Sequence, residues 1–231
     1  MEISSEDGSV ELLDTVIDSG IVTSRDETEY RLTEQFESHF ERYRDELDTI
    51  PSEDIRTVVE GRLPEAAQTS VLLDLAEVAP AVVAEYLAIV ELDERSLTHS
   101  DRLAVISVLD SFRLDGPPAD GAPMAFLPIS GTRLPLVANI YEKAVVYVWL
   151  DDCDPCETVR RDLDEIFGDV CEDLALFAVY GPAHQELLAD QYDVRGGPAV
   201  LFFYEGLVDA RLYGAQYQDV FETEIEKHRA L

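Results

Sequence analysis

The chain of 231 residues has almost no lysine, few cysteines and no long apolar run. Lysine occurs only at positions 143 and 227, whereas Asp and Glu number 49 and the formal net charge is -32. A field of this sign repels phosphates and anionic lipid heads, which argues against nucleic acid and membrane surfaces as partners. No apolar stretch approaches the roughly 18 residues that a membrane span requires.

The excess of carboxylates is spread along the whole chain. By direct count it is about -20 for residues 1–120 and about -12 for the remainder, which excludes a local acidic tail. Such self-repulsion disfavours a compact fold in dilute buffer, but near 1 M salt the Debye length falls to about 3 Å. The composition therefore predicts a protein of a halophile, at work in a salt-rich cytoplasm.

The N-terminus and the cysteines agree with a cytoplasmic location. The segment 1–7 is acidic where a signal peptide needs basic residues, and no apolar run follows it. Three cysteines do not make a disulfide framework, but Cys153 and Cys156 form a C-x-x-C pair. In a reducing compartment such a pair indicates redox or metal chemistry.

Residues 1–112 are predicted to form an all-α domain. Ser24–Glu27 has the capping-box pattern, and an apolar stripe at helical spacing runs from Leu32 to Ile50, before Pro51. Further helix starts are predicted at Pro64, Pro80 and the capping pattern Thr98–Asp101. The expected result is an acidic helical domain that binds a protein partner.

Residues 113–123 hold five Gly or Pro and are predicted to be an exposed linker. Beyond it, in 124–231, apolar runs of strand length appear at 144–150, 174–180 and 199–204, and 207–213 follows the last of these as a hairpin partner. Amphipathic segments lie between the first three runs and after the last. The order β-α-β-α-β-β-α predicts an α/β sandwich with a mixed sheet.

The C-x-x-C pair directly follows a buried strand and opens the next helix. Unpaired N–H groups at a helix N-terminus favour a thiolate, so Cys153 is the expected nucleophile. One turn further on, Cys156 is placed to attack a mixed disulfide formed on Cys153. Pro155 falls in the first turn, where its missing N–H costs nothing.

Four features in order resemble the thioredoxin family. Trp149–Cys156 resembles its W-x-x-x-C-x-P-C signature, Val194–Pro198 resembles its cis-proline segment, and Gly206 and Gly214 match the glycines that flank its last strand. The resemblance covers 124–231 and implies the thioredoxin fold, protein thiols and disulfides as substrates, and a donor reductase. It implies Cys153 and Cys156 as catalytic residues and a redox-active disulfide in place of any cofactor. The substrate-binding positions that follow are Trp149, Asp152, Asp154, Pro155, Gly197 and Pro198.

The chain departs from that family at four positions. Asp152 and Asp154 stand where many members have Trp and Gly, and adjacent carboxylates oppose thiolate formation. The family's buried Asp, which assists proton transfer to the resolving cysteine, falls at Tyr147, and its nearby Lys falls at Val179. Water or another carboxylate such as Asp151 would then have to accept the proton.

Two alternatives stand beside a protein thiol-disulfide oxidoreductase. A zinc site would need two more ligands, and the remaining candidates, Cys171 and four scattered histidines, form no second close pair, so no metal is predicted. In the other alternative the thioredoxin-like fold is a non-catalytic scaffold, and the helical domain binds a partner.

The charge excess predicts a strong dependence of stability on salt. Because screening weakens repulsion between carboxylates, the unfolding midpoint should rise steeply between about 0.1 and about 3 M KCl. The more acidic helical half should unfold first. Thermal melts followed by circular dichroism measure both effects, and a flat response to KCl would contradict the inference of a high-salt setting.

Overall fold

The computed structural model describes residues 15–26, 29–63, 66–92, 97–113, 115–168 and 173–231. The chain divides into two compact units, Met1–Leu114 and Asp115–Leu231. Cys171, Pro64 and Glu27 lie outside the described residues. That each unit is a domain able to fold alone stays a prediction.

In the described part of the first unit, a helical turn at residues 15–18 precedes a hairpin, and further helices follow. Strands β1 and β2 pair antiparallel and are followed by five α-helices and a 3-10 turn. Their bounds are β1 Val22–Asp26, β2 Glu29–Leu32, α1 Glu34–Thr49, α2 Ser52–Glu60, α3 Ala66–Val78, α4 Pro80–Leu92, α5 His99–Val108 and the 3-10 turn Leu109–Phe112.

The hairpin corrects the prediction that residues 1–112 are all-α. Ser24, predicted to cap a helix, lies in β1 and pairs with Tyr30 of β2. Ser24 lies in a strand because the nearby Val22 is β-branched and buried, which favours a strand. The helix begins ten residues later, where the Thr33 hydroxyl accepts a hydrogen bond from the Phe36 N–H at 3.2 Å.

The two other predicted helix starts that fall within the described residues are confirmed. Pro80 is the first residue of α4, and Thr98 and Asp101 form a reciprocal capping box at α5. From Phe36 to Leu47 the predicted stripe is the buried face of α1, where Phe36, Phe40 and Leu47 are nearly inaccessible. Its first member, Leu32, lies in strand β2 and not in the helix. Burial of such side chains stabilises the unit by roughly 1.5–3 kcal/mol each.

Arg113 belongs to this unit and not to the predicted linker. Its guanidinium lies 2.9 Å from Glu85, whose side chain is fully buried in α4. It also lies 3.2 Å from Asp110 and 3.7 Å from Glu37 of α1. Since a buried carboxylate needs a nearby countercharge, Arg113 ties the end of the unit to two of its helices.

The second unit alternates strands and helices. Its bounds are β3 Leu127–Ile129, α6 Leu134–Ile140, β4 Lys143–Trp149, α7 Asp154–Phe167, β5 Ala175–Tyr180, α8 Gln185–Tyr192, β6 Ala199–Tyr204, β7 Leu207–Tyr213 and α9 Gln218–Arg229. From β4 onward the elements follow the predicted order, but β3 and α6 precede them. The prediction of seven elements was therefore incomplete, because β3 has three residues and α6 seven, too few for a periodic signal.

The five strands form one mixed sheet in the order β3-β5-β4-β6-β7. The central strand β4 pairs parallel with β5 and antiparallel with β6. Its side chains alternate between two apolar clusters, one on each face, which explains the continuous apolar run in the sequence. At the edges, β3 contains Pro128, and the pairing of β7 with β6 shifts register between Phe202 and Phe203.

Among the helices of the described residues, none is both long enough and apolar enough to span a bilayer.

The buried pair of Glu85 and Arg113 predicts an unequal effect of two arginine substitutions. Arg113→Met should lower the free energy of unfolding by about 2 kcal/mol, because it leaves Glu85 buried without this guanidinium. Arg56→Met is the matched control, since its pair with Glu60 is exposed and should contribute less than about 0.5 kcal/mol. Urea unfolding at constant KCl measures both, and equal small losses would contradict this role for Arg113.

Candidate active site

The site is built at the end of the central strand. Val145, Tyr147 and Trp149 point from β4 into the same core cluster as Val159 and Leu163 of α7. Because β4 is hydrogen-bonded on both sides, its last residues are fixed in position. The turn after Trp149 therefore starts from a rigid point and leads directly into α7.

Cys153 and Cys156 are joined by a disulfide bond, with their Cα atoms 5.2 Å apart. Cys153 is the N-cap residue of α7, and its Sγ accepts a hydrogen bond from the Cys156 N–H at 3.2 Å. Cys153 is partly exposed, whereas Cys156 is 4% exposed. The first sulfur thus faces solvent beside an N–H donor, and the second lies in the core.

The residues around the pair suit the turn that holds it. Asp152 has a φ of 48°, in the left-handed region, which Asp tolerates better than most residues. Pro155 lies in the first turn of α7, where no intrahelical partner exists for a backbone N–H. Both residues are exposed.

A cleft of about 400 Å³ opens at the disulfide. It brings together five of the predicted site residues, namely Trp149, Asp152, Cys153, Asp154 and Cys156. The other residues that line it are Asp120, Gly121, Tyr147, Leu150, Asp151, Glu157 and Arg160. Five of the twelve lining residues are therefore Asp or Glu, against one Arg.

Three predicted positions do not line the cleft, namely Pro155 and the pair Gly197 and Pro198, which lies in the turn before β6. The peptide bond between them is cis, and Pro198 is buried. A Cβ on Gly197 would fall 2.9 Å from the Leu150 side chain, so the turn packs closely against a residue of the cleft. That closeness requires glycine at position 197 unless Leu150 moves.

Tyr147 lies beneath the pair, at the position where the resemblance places a buried acid. Its hydroxyl donates a 2.8 Å hydrogen bond to the carbonyl oxygen of Cys156. Burial raises the pKa of Tyr147, so the phenol stays protonated at neutral pH. Tyr147 consequently acts as a donor that holds the first turn of α7 against β4, and not as a proton acceptor.

Three polar contacts at the rim hold charged side chains in place. Arg160 binds Glu157 and lies 3.3 Å from Asp164, and the hydrogen bond from Arg160 lowers the pKa of Glu157. The Tyr180 hydroxyl donates to Asp151, which raises the pKa of Tyr180. These contacts orient two of the carboxylates that face the cleft.

Trp149 is the aromatic wall of the cleft. Its ring centroid lies 4.8 Å from that of Tyr180, and it is 5% exposed. Its Nε1, also buried, has no hydrogen-bond partner among the described residues. Trp149 therefore carries an unsatisfied donor, which is uncommon for a buried group.

Sequence reasoning missed two kinds of site residue. Asp120 and Gly121 were assigned to the exposed linker, yet they line the cleft, and Pro123 is buried. The second unit therefore begins before residue 124. No local pattern signals this, because Gly121 packs against Trp149, which is distant in sequence. Tyr147 was detectable, since it lies two residues before Trp149 and shares its face of a strand.

No group of three or more His, Cys, Asp or Glu among the described residues is arranged to hold a metal ion. The prediction that the site needs no metal or organic cofactor stays a prediction. The four histidines lie apart from the pair in the chain, and His184 contacts Ser130 at 3.2 Å, away from the residues that line the cleft.

No protein-family model and no curated protein matches the chain. Among solved structures, it is similar to a mutant thioredoxin from Halobacterium salinarum NRC-1, at 25% identity over 48% of this chain and 96% of the other, with a TM-score of 0.41. It is also similar to the thioredoxin Mala s 13 of Malassezia sympodialis, at 20% identity over 47% and 95% of the two chains, with a TM-score of 0.40. At these TM-scores the likenesses decide neither the fold nor the activity.

The hydrogen bond of Tyr147 predicts a measurable loss of stability. Tyr147→Phe should lower the free energy of unfolding of the oxidised protein by about 1 kcal/mol, since the Cys156 carbonyl loses a buried donor. The pKa of Tyr147 is higher in the folded protein than in the unfolded chain, where it is about 10. The stabilisation by this hydrogen bond is therefore complete below about pH 10 and is lost only above it.

The difference between wild type and Tyr147→Phe should therefore be constant from about pH 6 to about pH 9. Urea unfolding at several pH values measures it. A matched control is Tyr204→Phe, a partly buried tyrosine at the end of β6. A difference that grows through neutral pH would show that Tyr147 titrates there.

Proposed function

We propose that the protein is a thiol-disulfide oxidoreductase that reduces disulfides of other proteins through Cys153 and Cys156. The observation that carries the proposal is the asymmetry of the pair. One sulfur is partly exposed at a helix N-terminus and accepts an N–H hydrogen bond, and the other is buried one turn away. This arrangement stabilises a thiolate on Cys153 and protects Cys156 from solvent.

In the first step the Cys153 thiolate attacks one sulfur of the substrate disulfide. A bond forms between Cys153 Sγ and that sulfur, and the substrate S–S bond breaks. The departing thiolate leaves with the electron pair and takes a proton from water.

In the second step Cys156 loses its proton and attacks Cys153 Sγ. The Cys153–Cys156 bond forms, the mixed disulfide breaks, and the second substrate thiolate leaves. Two electrons have then passed from the protein to the substrate. A dithiol reductant must return two electrons to the pair, and a donor reductase would do so in the cell.

Proton transfer from Cys156 cannot use Tyr147, because burial raises the pKa of that phenol. Acceptors on the open side of the cleft remain, namely water and exposed carboxylates such as Asp151. We further propose that an extended substrate segment binds along the turn of Gly197 and Pro198, which is supported by the packing of Gly197 against Leu150 of the cleft. We place the protein in the cytoplasm of a halophile, and assign partner binding to its first unit.

The test is reduction of a model protein disulfide in molar KCl, with dithiothreitol as electron donor. Wild type should accelerate the reaction, and Cys153→Ser should lower the rate to that of dithiothreitol alone, because the attacking sulfur is gone. Wild-type activity no greater than that of Cys153→Ser would favour the non-catalytic scaffold.

Cys156→Ser provides the complementary result. It should form a mixed disulfide with the substrate that persists until external thiol is added, because the resolving sulfur is missing. Non-reducing electrophoresis detects the adduct. The double variant Cys153→Ser/Cys156→Ser should form no adduct, which controls for adducts on other cysteines.

A further inference from the structure

The segment Ala119–Met124, here called the strap, is part of the cleft although it precedes the first strand of the sheet. The Ala122 N–H donates to the Ala119 carbonyl at 3.0 Å, which closes a turn. The Met124 N–H donates to Asp164 of α7 at 2.7 Å. The strap is thereby fixed to the helix that begins at Cys153.

Gly121 rests on the indole of Trp149 with no space between them. A Cβ at position 121 would lie 2.2 Å from Cε3 and 2.4 Å from Cδ2 of that ring. Real Cβ atoms do not approach so closely, and Trp149 is held by Tyr180 and the core. Any other residue at position 121 would therefore displace the strap from the ring.

The close contact at Gly121 places Asp120 at the cleft. Asp120 is exposed and lines the same cavity as both sulfurs. With Asp151, Asp152, Asp154 and Glu157 it makes five carboxylates, against one guanidinium, Arg160, which is paired with Glu157 and Asp164. A substrate that approaches Cys153 therefore meets negative charge contributed in part by the strap.

We propose that the strap selects substrates by charge, so that Cys153 reacts preferentially with disulfides flanked by cationic groups. Asp120 supplies the charge, and Gly121 is a positioning residue that holds Asp120 at the cleft. The selectivity rests on the proposed disulfide exchange at Cys153, but the charge of the cleft can be measured without it.

The first measurement compares two alkylating reagents on the reduced full-length protein. Iodoacetamide is neutral and iodoacetate is an anion, and both react with the same thiolate. The ratio of the two rates is therefore independent of the fraction of Cys153 that is ionised, and it reports the charge near Cys153. It is measured at the lowest KCl concentration at which circular dichroism shows the native fold.

Asp120→Asn should raise the rate with iodoacetate relative to iodoacetamide about threefold, because one of the negative charges that line the cleft is removed. Asp115→Asn is the matched control, since Asp115 is an exposed carboxylate just before the strap that does not line the cleft, and it should leave the ratio unchanged. Gly121→Ala should shift the ratio in the same direction as Asp120→Asn. Raising KCl to about 3 M should reduce the differences in this ratio between the variants and wild type.

The second measurement uses small disulfides of similar size: cystamine, a dication, hydroxyethyl disulfide, which is neutral, and dithiodipropionate, a dianion. Each takes two electrons from the reduced pair and yields two thiols. Wild type should reduce cystamine at least about tenfold faster than dithiodipropionate, and Asp120→Asn should narrow this preference about threefold.

The two measurements separate the two proposals. If hydroxyethyl disulfide reacts no faster with wild type than with Cys153→Ser, the exchange activity fails while the alkylation ratio still tests the strap. If Asp120→Asn leaves the alkylation ratio unchanged, or if Asp115→Asn changes it equally, the strap does not select by charge.

Discussion

The backbone pairing of β4 is the constraint on which the site depends. A strand that is hydrogen-bonded on both sides and buried on both faces cannot shift without exposing apolar side chains or leaving backbone groups unpaired. The position where β4 ends therefore sets the position of Trp149, and the following turn sets that of Cys153. Tyr147 adds a second connection, from the interior of the strand to the carbonyl of Cys156. The reactive pair is held by the strand below it and by the helix that it caps.

The cysteine pair, the helix it opens and the central strand could be predicted because each has a local cause. Residue spacing, capping chemistry and β-branched runs are properties of short segments. The hairpin at Val22 and the short elements β3 and α6 escaped prediction, since segments of three to seven residues carry too little periodicity. Gly121 and Asp120 escaped it for another reason. Their role follows from contact with Trp149, which is distant in sequence, and a Gly/Pro-rich stretch has the same local pattern whether it is exposed or packed.

Charge is used in two different ways in the two units. In the first unit Glu85 is withdrawn from water and has Arg113 beside it, so the pair contributes to the connection between helices. At the cleft the carboxylates remain in contact with solvent, so their hydration is not lost. The scarcity of lysine fits both uses. A guanidinium can bind several carboxylates at once, as Arg113 and Arg160 do, and a lysine ammonium offers a less directional contact.

The two edges of the sheet have a consequence for association between molecules. At low ionic strength a net charge of -32 keeps copies apart, but in molar salt that repulsion extends only about 3 Å. Protection against edge-to-edge pairing must then come from short-range features. Strand β3 is three residues long and contains Pro128, which has no N–H to donate, and β7 carries Asp209 and Arg211 on its exposed side next to a shift of register. Both features disfavour the addition of a strand at an edge, and neither depends on ionic strength.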